Sequence, residues 1–137
     1  MRTPQTNGRL HDERGAAAVE FALVSTILIV ILLGIFQFGL FFHQYQAMHS
    51  AAREGARVAA VHQPASVAIA RVQSAADPYE LSQTPTVTVL GGSGGLCENP
   101  ANKGKEVRVQ WTQQVAIQLP LFNLNTSRPV RGTFRCE

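Results

Sequence analysis

Gly15-Ala16-Ala17-Ala18-Val19-Glu20-Phe21-Ala22-Leu23-Val24 opens the stretch that decides the fold, an apolar run that continues to Phe42. After Glu20 the chain carries no Asp, Glu, Lys or Arg until Arg53, and residues 21–42 are interrupted only by Ser25, Thr26 and Gln37. At about 1.5 Å per residue a helix over these positions is about 33 Å long, enough to cross a hydrocarbon core of about 30 Å. A cleaved secretory signal is the alternative, but its apolar region covers only about 7–15 residues before a small-residue cleavage site. Ser50-Ala51-Ala52 imitates such a site, yet it lies past an overlong run and inside a helical pattern.

No proline stands between Pro4 and Pro64, and the residues after Phe42 are rich in good helix formers. The helix is therefore expected to begin near residues 12–16 and to run on to about Val61, a rod of about 75 Å. Residues 1–15 are polar, contain Pro4 and Gly8 and show no periodicity, which describes a leader without regular structure. Arg2, Arg9 and Arg14 precede the apolar run, against Arg53 and Arg57 within range after it. This asymmetry places the N-terminus in the cytoplasm and the C-terminal part outside.

Small residues mark the outer half of the rod. Ala47, Ala51, Gly55 and Ala59 recur every four residues, with Ala52, Ala56 and Ala60 as a neighbouring row. Two such ridges allow another helix or a sheet to come close to the backbone. Arg53 and Arg57 stand off this face, and Glu54 is an ion-pair partner for Arg57, three residues on. Ordinary solvation near a membrane surface also accounts for these charges.

Beyond Pro64 the period shortens. Ala65 to Ala76 reads as a second helix ended by Asp77-Pro78, and Thr86 to Val89 as a strand. Residues 91–95, Gly-Gly-Ser-Gly-Gly, read as a flexible loop. Residues 106–119 alternate as one long strand or two joined by a bulge near Gln113-Gln114, and residues 132–137 form a last short strand. The whole is α+β: a long N-terminal transmembrane helix (leader 1–15, helix 16–63, span 21–42) continuing into a small exported module, residues 64–137. In that module a small antiparallel sheet covers the alanine face of the rod.

The residues name no chemistry. His43 and His49 lack the i, i+4 spacing and the Glu of a helical zinc site. The Gly-rich loop lacks the Lys and hydroxyl of a phosphate-binding loop, and Ser, His and Asp occur in no nucleophile arrangement. Neither a cofactor nor a metal is expected, and nothing points to an enzyme. The net charge of +3 is scattered, so no nucleic-acid groove is indicated. Cys97 and Cys136, both in the exported part, suit a structural disulfide better than a metal site.

Glu20 is the exception. A carboxylate near a helix start gains about 0.3–1 kcal/mol from the macrodipole, whereas one facing lipid costs about 3 kcal/mol or more. If the Gly15-Ala16 bond were cut, Glu20 would lie one turn from a new amine, its own or a neighbour's.

Three segments together resemble the TadE-like family, minor pseudopilins of tight-adherence (Flp-type) pili. They are Gly15 to Val24, Leu33-Gly34-Ile35-Phe36-Gln37-Phe38-Gly39, and Ala51-Ala52-Arg53-Glu54-Gly55-Ala56-Arg57-Val58-Ala59-Ala60. The resemblance implies a bacterial type IV prepilin-like substrate, cut after Gly15 by a prepilin peptidase, with Ala16 first in the mature chain. Glu20, followed by Phe21, would then register the subunit against other pilins on the pilus assembly platform of the inner membrane. Thr26 stands where the family often has proline and Gln37 where it often has glutamate. The rival expectation is an uncleaved single-pass anchor whose outer module binds a partner or ligand.

Overall fold

The computed structural model describes residues 9–94, 96–118 and 123–137. Its first element, α1 (Arg9–Ala60), is an unbroken helix of 52 residues, about 78 Å long. The helix starts earlier than the sequence suggests. Residues 9–14, assigned above to an irregular leader, are helical in backbone, while residues 1–8 lie outside the described part. Extending a formed helix fixes one residue per hydrogen bond, so with no proline or glycine from Arg9 to Arg14 the helix propagates back through the segment. At its outer end His62 takes a left-handed conformation (φ 63°). Pro64 follows, a common way to stop a helix.

Helix α2 (Ala65–Ala76) forms where its pattern predicts and buries Ala68, Val72 and Ala76, one row at four-residue spacing. Pro64 occupies its N-cap position without a side-chain cap, and the Pro64 carbonyl accepts from Val67 and Ala68 N–H at 3.0 and 3.3 Å. A three-stranded antiparallel sheet follows: β1 (Thr86–Val89), β2 (Glu106–Gln118) and β3 (Asn123–Arg135), in that order. A single 3₁₀ turn, Pro100–Asn102, precedes β2.

One strand alternative is settled and one strand expectation is corrected. β2 is one strand with no bulge, because its register against β3 is continuous from Glu106↔Arg135 to Gln118↔Asn123. Leu119, its expected last residue, lies outside the described part. The final strand is 13 residues long rather than a short piece after Gly132. Its first half, Asn-Leu-Asn-Thr-Ser-Arg-Pro, is polar because both faces there are largely exposed. Pro129 is tolerated because β3 is an edge strand.

The burial of β2 alternates strictly: Val107, Val109, Trp111, Gln113 and Val115 are buried. These residues also follow α1 in order. Val107 clusters with Ala59 and Ala60, Val109 and Trp111 with Met48 to Ala56, and Val115 shares a groove with Leu40, Phe41 and Gln44. From Val107 to Val115 the strand advances about 26 Å, close to the advance of about 26–28 Å between the matching helix positions. The strand therefore lies along the rod, descending from its outer end toward the apolar run.

Candidate assembly helix and the face that holds the outer module

The inner half of α1 is bare. Residues 15–24 are all exposed, and none of the most apolar window is buried against the rest of the chain. Among the described residues α1 is the one helix long and apolar enough to cross a membrane. Its two hydroxyls are satisfied locally: Ser25 Oγ and Thr26 Oγ1 donate to the Ala22 carbonyl at 3.1 and 2.7 Å. Such back-bonding lets polar side chains sit in an apolar helix without an orphaned donor. Glu20 is exposed and has no hydrogen bond or ion pair among the described residues. Gly15, Ala16, Glu20 and Phe21 thus lie on one uncovered stretch of helix, with Gly15 in the helix interior.

The outer half is covered on two sides. Ala51, Ala52, Gly55, Ala56, Ala59 and Ala60 are buried, and Ala47 is half-buried. Gly55 faces α2: a Cβ built there collides with Val72 Cγ2 and lies 3.3 Å from the Ala68 carbonyl oxygen. The neighbouring row faces the sheet. A Cβ on Gly132 of β3 collides with the backbone of Ala52 and Arg53. Backbone thus meets backbone with no side chain between, as small residues permit at close-packed faces. Gly55 of one ridge thus meets α2 and Ala52 of the other meets the sheet, a pairing that the ridge spacing alone does not reveal.

Charges brace this junction from outside. Glu54 Oε2 lies 3.3 Å from Arg57 Nε on the same helix, and Glu54 Oε1 lies 3.1 Å from an Arg71 Nη on α2. The hydrogen bond from Arg57, then that from Arg71, holds the Glu54 carboxyl below its ordinary pKa. Arg71 is 17 residues away in sequence, so only the helix pairing reveals it. Arg53 is exposed and donates from Nε to the His49 carbonyl at 3.4 Å.

Near the apolar run, aromatic groups ring the helix. His43 meets Tyr79 edge-on, and Tyr45 meets His49 edge-on with ring centroids 4.6 Å apart. His49 Nδ1 lies 3.3 Å from the Arg131 carbonyl oxygen of β3. Both histidines are thus contacts between helix and module.

Two polar devices close the module. Gln113, buried beneath β2, accepts at Oε1 from Trp111 Nε1 and Ser82 N–H, each at 3.1 Å, and donates from Nε2 to the Glu80 carbonyl. Beside it Ser82 Oγ and Gln83 Oε1 accept the Gln114 and Thr112 backbone N–H groups. These side chains occupy the β2 edge beyond the last pairing with β1, Thr86↔Gln110, so the edge is capped. Ser93 and Gly94 of the Gly-rich loop are bonded to side chains as well, while Gly95 lies outside the described residues. Asn99 and the buried Asn102 donate to the carbonyls of Ser93, Gly94 and Leu96. Cys97 and Cys136 are joined in a disulfide that ties the loop to the end of the sheet, with both residues buried. The sequence signal was two asparagines after a glycine loop, residues that bond readily to nearby backbone.

Among the described residues no group of three His, Cys, Asp or Glu side chains is placed to hold a metal. No curated protein and no solved structure is significantly similar to the chain. Over residues 15–57, which contain Gly15, Glu20, the apolar span and most of both small-residue ridges, the chain is similar to the family model described as TadE-like protein, a likeness over about a third of the chain that suggests a pilus-associated protein.

Proposed function

We propose that this protein is a pilin-like structural subunit, a pseudopilin of a tight-adherence type IV pilus, cut after Gly15 by a prepilin peptidase and assembled through its helix. The observation that carries the reading is that the family match begins at Gly15, on a helical stretch that none of the other described residues covers. A bare apolar helix with a carboxylate five residues past the cut suits a subunit that moves from membrane into a bundle of like helices. Before assembly the helix spans the inner membrane once, with the module outside; prepilin peptidase, other pilins and the assembly platform are its partners. Its role is structural rather than catalytic.

Cleavage would free the amine of Ala16 about one helical turn from Glu20, giving that exposed carboxylate a partner of opposite charge. N-terminal sequencing of the protein recovered from its native membranes tests the cut. Ala16 as the first residue supports it; a persistent Met1 start in cells with an active peptidase overturns it in favour of an uncleaved anchor. Gly15→Ala should block processing, whereas Glu20→Ala should leave processing intact and reduce pilus assembly. Normal pili from the Glu20 variant would remove the role assigned to that carboxylate.

A further inference from the structure

We infer that the outward face of the sheet, around Arg108, Arg131 and Arg135, binds an acidic polysaccharide.

Strand pairing gathers arginines that look scattered along the sequence. Val107 and Val109 of β2 pack toward the helices, so Arg108 and Gln110 face the other way. With them face the residues they pair with, Thr88 and Thr133 beside Arg108, Thr86 and Arg131 beside Gln110. Because Arg108 stands opposite Thr133, Arg131 and Arg135 occupy its two diagonal positions, about 7–8 Å away and within reach of long side chains. Arg131 and Arg135 are exposed, and Arg108 is half-buried. None of the three guanidinium groups has a hydrogen-bond or ion-pair partner among the described residues, and Arg108 Nε is shielded from solvent besides. Glu106, the one acid in the three strands, lies opposite Arg135 without an ion pair to it. Three like charges this close, with donors unsatisfied, are a cost that an anion on the face relieves.

The rest of the face decides which anion. From Glu106 to Thr112 on β2 and from Arg131 to Arg135 on β3, the outward residues include nothing apolar or aromatic. A protein partner calls for an apolar centre, and single-stranded nucleic acid for aromatic rings on which bases stack. Duplex DNA is read by an element that enters a groove, which a flat sheet face does not do. A lipid surface is disfavoured by direction: β2 lies along α1, so a bilayer crossed by α1 meets this face edge-on. The Thr88 and Thr133 hydroxyls and the Gln110 amide both donate and accept, as sugar hydroxyls do. A groove over these rows is lined by Thr86, Gln110, Thr112 and Arg131. A polymer that carries hydroxyls and carboxylates together suits both sets of groups.

The test uses the full chain with its disulfide in phosphatidylcholine nanodiscs, titrated with polygalacturonate, neutral dextran and duplex DNA. Polygalacturonate should bind and dextran should not, and added salt should weaken the binding by screening exposed charges. Arg108→Gln should weaken it about tenfold or more, as should Arg131→Gln combined with Arg135→Gln. Arg128 pairs with the buried Gln113 and so belongs to the opposite face. Arg128→Gln, the same change of charge, should leave the affinity unchanged. Trp111 emission reports folding; should Arg108→Gln unfold, the double variant at exposed positions carries the test. No binding above that of empty nanodiscs, equal binding of dextran, or an equal loss with Arg128→Gln overturns the inference. Tighter binding of DNA than of polygalacturonate overturns it in favour of a nucleic acid.

Discussion

The two halves of α1 share one helix and one backbone geometry but choose side chains of opposite size. The inner half displays Phe21, Ile35 and Phe36 at 63–74% exposure, while the outer half buries alanines and Gly55 completely or nearly so. Size here reports the partner. Large flexible side chains suit a fluid partner that moulds itself around them, such as lipid. Small ones suit a solid partner whose backbone must come close, and close approach here includes the main chain at Gly132.

The glycines offer the sharpest way to break this contrast. Gly132→Val places side-chain atoms into the backbone of Ala52 and Arg53, which cannot yield as a flexible side chain would. A loss of about 3 kcal/mol or more is expected, read as a lowered midpoint of urea unfolding followed by Trp111 fluorescence. Gly39→Ala, with open space around its Cβ in the bare half, should leave that midpoint unchanged. Equal effects at the two positions would erase the distinction between the halves.

Removing the Cys97–Cys136 bridge by Cys136→Ser should cost about 2–4 kcal/mol, all of it in the outer module. Thiol labelling of the unreduced protein should find neither cysteine reactive, since the pair is bridged and buried. Gln113→Ala should cost about 1–3 kcal/mol because it leaves Trp111 Nε1, the Ser82 N–H and the Glu80 carbonyl to find new partners. Its check is the same unfolding curve, with a red-shifted Trp111 emission as water enters.

Glu54 carries the smallest expected effect. Its carboxyl is lowered in the folded state by Arg57 and then Arg71, so its contribution is present above the unfolded carboxylate pKa. That contribution fades as pH falls through the lower folded value. Stability of the parent and of Glu54→Gln, measured from neutral to acid pH, should differ modestly at neutral pH and converge in acid. A difference that persists at the acid end would mean the variant disturbs packing rather than charge.

The helices were legible in the sequence because their signals are local: an apolar run without proline, small residues at four-residue spacing, and Pro64 and Asp77-Pro78 as stops. β1 and the inward alternation of β2 were legible for the same reason. What escaped was set by neighbours distant in the chain. The first half of β3 looks like a loop because, exposed on both faces, it needs no apolar alternation, and its pairing with β2 is what makes it a strand. Glu54 found Arg71 only through helix packing, and Gln113 takes a donor, Ser82 N–H, and an acceptor, the Glu80 carbonyl, from more than 30 residues upstream. Gly132 did leave a trace, a lone glycine between Val130 and Phe134 in an alternating run, which marks close backbone approach. For Gly15 and Glu20 the sequence motif and the bare helix coincide, and the cut itself is the matter for experiment.

Because β2 lies along the rod rather than across it, the seam between helix and sheet has a mechanical direction. A pull along the axis of α1 loads the Ala52–Gly132 contact, the aromatic pairs and the strand contacts below them in shear, all at once. A sideways pull would peel them one after another. In the proposed role of a fibre subunit held by its helix, the pull would run along that axis, the direction in which this seam shares its load most evenly.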